Sequence, residues 1–168
     1  VFHEADETYR AFVYKTKSKA FIVIGAWATL SQEYRYIDAN HPDGTFTIFQ
    51  KREKNLEYEI AHYQDKWYIK TNKDGAKNYK IMVTDQDKTP KGHWQDFIPH
   101  RDDVLVEGMD LFRDFLVLTE RVKGITRIRV MPWAGKDHYI DFGEDAYLAY
   151  TDINKDFDTH LLRVGFTS

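Results

Sequence analysis

Hydroxyl, imidazole and carboxylate groups are the side chains in this sequence that could do chemistry, and their spacing decides which kind. A serine hydrolase needs an activated hydroxyl, yet Ser18, Ser31 and Ser168 all lie outside any G-x-S-x-G nucleophile elbow. The histidines at 3, 41, 62, 93, 100, 138 and 160 form no H-E-x-x-H motif and no facing pair on one strand, so they read as surface or interface residues and no metal is expected. Asp38, Asp43 and Gly44 outline a polar turn, since the spacing and terminal Glu of a calcium loop are missing. Glu57 and Glu59 alternate onto one face of a strand, a placement that suits acid–base work over a cleft and equally suits a salt-bridged edge. The absence of cysteine excludes disulfides, thiolate nucleophiles and cysteine-ligated zinc within this chain. No cofactor is implied by any of these groups.

The elements that must position these residues are strands. Runs of β-branched and aromatic residues, punctuated by Gly, Pro, Asp and Asn, predict four strands per repeat, while no long window carries the i, i+3, i+4, i+7 pattern of an amphipathic helix. One strand of each repeat ends at Gly25, Thr71, Thr119 and Thr167, positions separated by 46, 48 and 48 residues. A period of roughly 40–50 residues built from short strands is the signature of propeller blades. The expected fold is therefore all-β: a partial β-propeller of about three four-stranded blades plus two strands of a further blade, in one domain spanning 1–168. Its blades are expected at about 9–53, 56–103 and 104–145, with an incomplete one at 146–168. Val1-Phe2-His3-Glu4 reads as an outer strand of a preceding blade, and both ends of the chain read as cut from a longer polypeptide. Asp74-Gly75 and Gly124 mark hairpin turns, because Gly tolerates positive φ. Trp27, Tyr34, Tyr58, Trp67, Tyr79, Trp94, Trp133 and Tyr147 are expected to pack blade against blade. A β-sandwich or jelly roll would share the short strands but not the repeat spacing.

Composition narrows the class further. The chain has 168 residues, 42% of them hydrophobic and 15% aromatic, enough for a sizeable core. A formal charge of -3 gives no electrostatic reason to expect nucleic acid or an anionic membrane as partner. No apolar run approaches the ~20 residues of a membrane-spanning helix. The compartment is left open, with the cytoplasm favoured.

Several strings together resemble the propeller domain of oligopeptidase B, or protease II, in the prolyl oligopeptidase family of serine peptidases. They are Val13-Tyr14-Lys15-Thr16-Lys17-Ser18-Lys19, Glu33-Tyr34-Arg35-Tyr36, Asn40-His41-Pro42-Asp43-Gly44, Thr71-Asn72-Lys73-Asp74-Gly75-Ala76, Ile98-Pro99-His100-Arg101-Asp102-Asp103-Val104-Leu105 and Arg163-Val164-Gly165-Phe166-Thr167-Ser168, spread along the whole chain in the family's order. The resemblance implies a segment of a seven-bladed propeller that caps an α/β-hydrolase domain, with that domain outside this sequence and acting as its partner. It implies cleavage of short peptides after Arg or Lys by the parent, with the catalytic triad beyond Ser168 and no catalytic residue in this chain. If the first strand of each blade is innermost, the start of the first strand and the end of the second reach the face that meets the catalytic domain. Glu57, Tyr58, Glu59, Glu107, Glu120, Arg121 and Tyr147 are then the candidates to face the substrate cavity or the domain interface. A stand-alone binding or scaffold propeller would show the same strand pattern, and cut propeller edges would favour self-association.

Overall fold

The computed structural model describes residues 2–168, and strands dominate it. The first sheet holds β1 (Arg10–Lys15), β2 (Phe21–Ala28), β3 (Ser31–Asp38) and β4 (Thr47–Gln50). The second holds β5 (Tyr58–Tyr63), β6 (Lys66–Thr71), β7 (Lys80–Asp85) and β8 (Gln95–Ile98). The third holds β9 (Leu105–Leu111), β10 (Phe115–Val122), β11 (Ile125–Pro132) and β12 (His138–Tyr139), and β13 (Leu148–Thr151) pairs with β14 (Val164–Thr167) in a fourth. Each sheet is an antiparallel meander in chain order, giving three four-stranded sheets and one of two strands. This is the partial propeller that the repeat predicts.

Packing between sheets follows from where the aromatic residues fall. Trp67, Phe49, Tyr58, Tyr34, Phe21 and Trp94 are buried together between the first and second sheets. Tyr68, Ile81, Leu116 and Leu118 fill the seam between the second and third, and Phe112, Val117, Ile128 and Ala149 that between the third and fourth. Five successive residues of β6, Trp67 to Thr71, are buried, because the second sheet is covered on both faces. Removing this apolar area from water is the main favourable contribution to the fold, at ~25 cal/mol per Å².

Two glycines mark close approaches. Gly25 in β2 stands opposite Phe12 in β1, and Gly165 in β14 opposite Tyr150 in β13. In both pairs a Cβ on the glycine would run into the facing aromatic ring, so the ring lies flat over bare backbone. The same device therefore recurs in the first and fourth sheets.

Three local expectations change. Phe2, His3 and Glu4 form no strand, and Val1 lies outside the described residues. Glu4 instead binds Arg52 at 2.6 Å, beyond the end of β4. Asp74-Gly75 is not a two-residue hairpin turn: it sits in a single 3-10 turn, Lys73–Gly75, within a longer connection from β6 to β7. Both residues do carry positive φ, 60° and 75°. The run from Tyr79 to Val83 reads in the sequence as the next strand, but Tyr79 has φ 59° and lies just before β7. Lys123 and Gly124 do form a two-residue turn between β10 and β11, with φ of 51° and 85°, both positive as such a turn requires.

Candidate functional site

At the end of the sheets where β1, β5 and β9 begin and β2, β6 and β10 finish, a cavity of about 370 Å³ opens between the first and second sheets. Phe12, Trp27 and Tyr34 form its aromatic wall, and Glu57, Glu59 and Lys70 its charged wall. Phe12 is held by its seat on Gly25 and by an edge contact with Tyr34 at 6.2 Å between ring centroids.

Tyr58 also borders the cavity, but it is 2% exposed and acts mainly as a bolt between sheets. Its hydroxyl donates to the Gln50 carbonyl at 2.7 Å and accepts from the Tyr34 amide at 3.2 Å. Its own amide donates to Gln32 Oε1 at 2.9 Å. Burial raises the Tyr58 phenol well above its ordinary pKa, so it stays neutral.

Glu57, just before β5, is fixed by partners on both sides. Its Oε1 accepts from Asn72 Nδ2 at 3.2 Å, and its Oε2 from the Tyr79 hydroxyl at 3.0 Å. Tyr79 is raised in pKa first by burial and then by that carboxylate. Glu59 is more open, with its side chain 58% exposed, and is paired with Lys70 Nζ at 2.9 Å.

Lys70, which the sequence reading passed over, is the hub of this face. Its side chain is only 8% exposed, and its ammonium also donates to the Glu107 carbonyl at 2.8 Å, tying the second sheet to the third. That carbonyl is available because Glu107 is the extra residue of a β-bulge: Thr119 pairs with Gly108 and Glu120 with Val106. A bulged residue has no ladder partner and its side chain is re-aimed. The Glu107 carboxylate accordingly meets Arg121 Nε at 2.8 Å. Arg121 also donates to the Gly124 carbonyl at 3.0 Å.

Glu120 and Tyr147 take other positions. Glu120 is 2% exposed and turns into the third sheet, where it accepts from the Tyr139 hydroxyl at 2.7 Å and faces Arg129 at 3.6 Å. It serves a buried network and does not project from the face. Tyr147 is partly buried against Phe142 and Phe166, with ring centroids 5.0 and 5.8 Å away. Of the seven candidates, the structure brings Glu57, Tyr58 and Glu59 to one cavity and joins Glu107 to it through Lys70, with Arg121 behind. Asn72 and Tyr79 were missed alongside Lys70, although polar residues at the end of β6 and beside the start of β5 were the available signal.

One serine does meet an imidazole. Ser18 Oγ lies 2.8 Å from His62 Nδ1, and His62 Nε2 lies 2.9 Å from Gln86 Oε1. Gln86 is neutral and cannot stabilise an imidazolium as a carboxylate does, and burial outweighs its hydrogen bond and lowers the His62 pKa. The imidazole is 5% exposed, between Phe21 and Trp67. This is a structural tie between the first and second sheets. Asp38 meanwhile caps its own turn, accepting from the Asn40 amide at 2.8 Å and meeting His41 Nδ1 at 3.0 Å.

Comparison with known proteins bears on what this face belongs to. The family model for the prolyl oligopeptidase N-terminal β-propeller domain matches residues 1–168. Dipeptidyl aminopeptidase BI of Pseudoxanthomonas mexicana is 37% identical over 168 residues, covering 100% of this chain and 23% of that protein. Protease 2 of Moraxella lacunata is 25% identical over 169 residues, covering 100% of this chain and 24% of that protein. Among solved structures, oligopeptidase B from Trypanosoma brucei with covalently bound antipain, in its closed form, superposes with a TM-score of 0.89 at 24% identity, over 99% of this chain and 25% of that one. The chain thus spans about a quarter of the length of the relatives it matches.

Proposed function

The chain belongs to the prolyl oligopeptidase N-terminal β-propeller family, and from that membership we propose that it is a non-catalytic propeller segment covering the active site of a serine peptidase resembling oligopeptidase B. The family match along all of residues 1–168 is the observation that carries this reading. The propeller admits short, unstructured peptides and excludes folded ones by steric restriction. The face bearing Glu57, Glu59 and Glu107 meets an α/β-hydrolase domain that supplies the triad, and the parent protein cleaves after Arg or Lys. Carboxylates lining a cleft of low dielectric raise the local concentration of cationic peptides, and the exposed Glu59 is the best placed to do so.

A second reading has its own support. The relative that is 37% identical along this whole chain is named a dipeptidyl aminopeptidase, which favours a parent that releases dipeptides from a free amino end. The cleft would then receive the terminal ammonium of the peptide.

The isolated chain is inert and self-associates in this account, since Leu148, Tyr150 and Phe166 are exposed and β14 has a free edge among the described residues. Sedimentation that shows only monomer at high concentration counts against this. Hydrolysis by the full-length protein tests the main reading: an N-blocked arginyl amide cleaved faster than a free dipeptidyl amide supports the endopeptidase. The reverse order supports the dipeptidyl reading, and hydrolysis of neither removes both.

A further inference from the structure

Two large aromatic side chains stay open to solvent at the cavity between the first and second sheets. Trp27 is 47% exposed and Phe12 43%, whereas Trp67 and Trp94 in the adjoining seam are 0% and 5% exposed. Packing of sheet on sheet does not account for the open rings. Trp27 lies two residues beyond Gly25 in β2, so it stands on the same side of the first sheet as the Phe12 ring that covers that glycine. Phe12 is further steadied by Tyr14, with ring centroids 6.0 Å apart. The wall is therefore held in place before anything binds.

The charged groups beside this wall are engaged, with one exception. Lys70 is the only cation in the lining, and it is committed to Glu59 Oε1 at 2.9 Å and to the Glu107 carbonyl at 2.8 Å. Both carboxylate oxygens of Glu57 are taken, by Asn72 and by Tyr79. The Gln32 amide is spent on the Tyr58 N–H and, at 3.3 Å, on the Ala28 carbonyl. Glu59 Oε2 has no partner among the described residues. The cavity thus offers a free carboxylate oxygen next to exposed aromatic faces, and no free cation to receive an anion.

These groups suit a cation that is also flat. A guanidinium only donates hydrogen bonds, stacks on aromatic faces and can turn its N–H edge to a carboxylate at the same time. A lysine ammonium is a compact and strongly hydrated charge that gains less from a ring face. An acidic side chain would meet Glu59 with nothing free to balance it.

We propose that Trp27 and Glu59 form a subsite for an arginine side chain of the substrate, distinct from the residue at the cleaved bond, with Trp27 determining the choice of arginine over lysine. The link to catalysis rests on the peptidase reading above, in which the triad lies in another domain. The chemistry of the subsite rests only on the cavity and its free groups.

The test uses the full-length protein and peptides that share one cleaved arginyl bond. They differ in a single residue on its amino side, which is Arg, Lys, citrulline or Glu and is moved through successive positions. At one position, Arg is expected to exceed Lys in kcat/KM about fivefold, mainly through KM. Citrulline, planar but uncharged, should fall to the level of Lys or below, and Glu lower still. Trp27→Ala is expected to bring Arg down to Lys, Trp27→Phe to keep part of the preference, and Glu59→Gln to weaken Arg and Lys together. Equal rates for Arg and Lys at every position overturn the subsite, as does a preference that survives Trp27→Ala. A loss in Trp27→Ala that is the same for all four peptides makes the indole a contact of the neighbouring domain and also overturns it. If the unsubstituted protein cleaves none of the peptides, the peptidase reading fails. Calorimetric binding of the same peptides then decides the subsite alone: Arg tighter than Lys, and equal to it in Trp27→Ala, supports it, and no difference overturns it.

Discussion

At the scale of the residue, burial separates carboxylates that look alike in sequence. Glu59 is 58% exposed and its partner Lys70 keeps a second acceptor, so Glu59→Ala costs about 0–1 kcal/mol in the range of exposed pairs. Glu120 is 2% exposed and anchors both Tyr139 and Arg129, so Glu120→Ala costs about 3–5 kcal/mol, as expected for one member of a buried network. Denaturant unfolding of the full-length variants checks the contrast, and equal losses at the two sites would contradict it. Charge reversal at Glu120 therefore reports on folding, whereas charge reversal at Glu57, Glu59 or Glu107 tests the proposed contact with substrate. His62 adds a pH dependence with a definite sign. Its folded pKa is lowered by burial, so the unfolded chain takes up the proton first as pH falls below 6.5. The stability held by the neutral ring is present above that pH and lost as pH drops through the folded value. Tm measured from pH 7 to pH 5 is expected to fall less in His62→Gln than in the unsubstituted protein, and parallel profiles would contradict the assignment.

At the scale of the element, strands were legible because their signal is local. Alternation and β-branched runs placed strands in all four sheets, and the positive φ at Lys123 and Gly124 matched the turn signal there. The bulge at Glu107 was not legible, because it exists only as a mismatch between β9 and β10. Lys70 was hidden for the same reason: in sequence it is one more charged residue near a strand end, and its role comes from Glu59 across β5 and from a carbonyl in the next sheet. The connection at 73–75 misled because Asp-Gly signals positive φ without fixing loop length. The seat of Phe12 on Gly25 gives a prediction at this scale. Gly25→Val is expected to cost about 1–3 kcal/mol by overpacking against the ring. Adding Phe12→Ala should recover part of that loss, so a double-mutant cycle that shows strict additivity would exclude the contact as its cause.

At the scale of the whole molecule, the repeat spacing revealed the propeller, while the two ends of the sheets acquired different characters only in three dimensions. One end carries an open cleft with Phe12, Trp27, Glu57 and Glu59, and the other a cavity bridged by Lys17 and Asp110, 93 positions apart in the chain. No local pattern announces a bond across that separation. The order of strands in the repeat puts the starts of first strands and the ends of second strands on one face, where Glu57 and Glu59 line the same cavity. Whether substrate meets that face is decided by the ratio of kcat/KM for a dibasic peptide to that for a neutral one of equal length, in the full-length protein with and without Glu59→Lys. The account predicts a fall in this ratio of about tenfold, as a cation is placed beside Lys70 where a cationic peptide should pass. An unchanged ratio in an active enzyme would show that substrate does not meet this face.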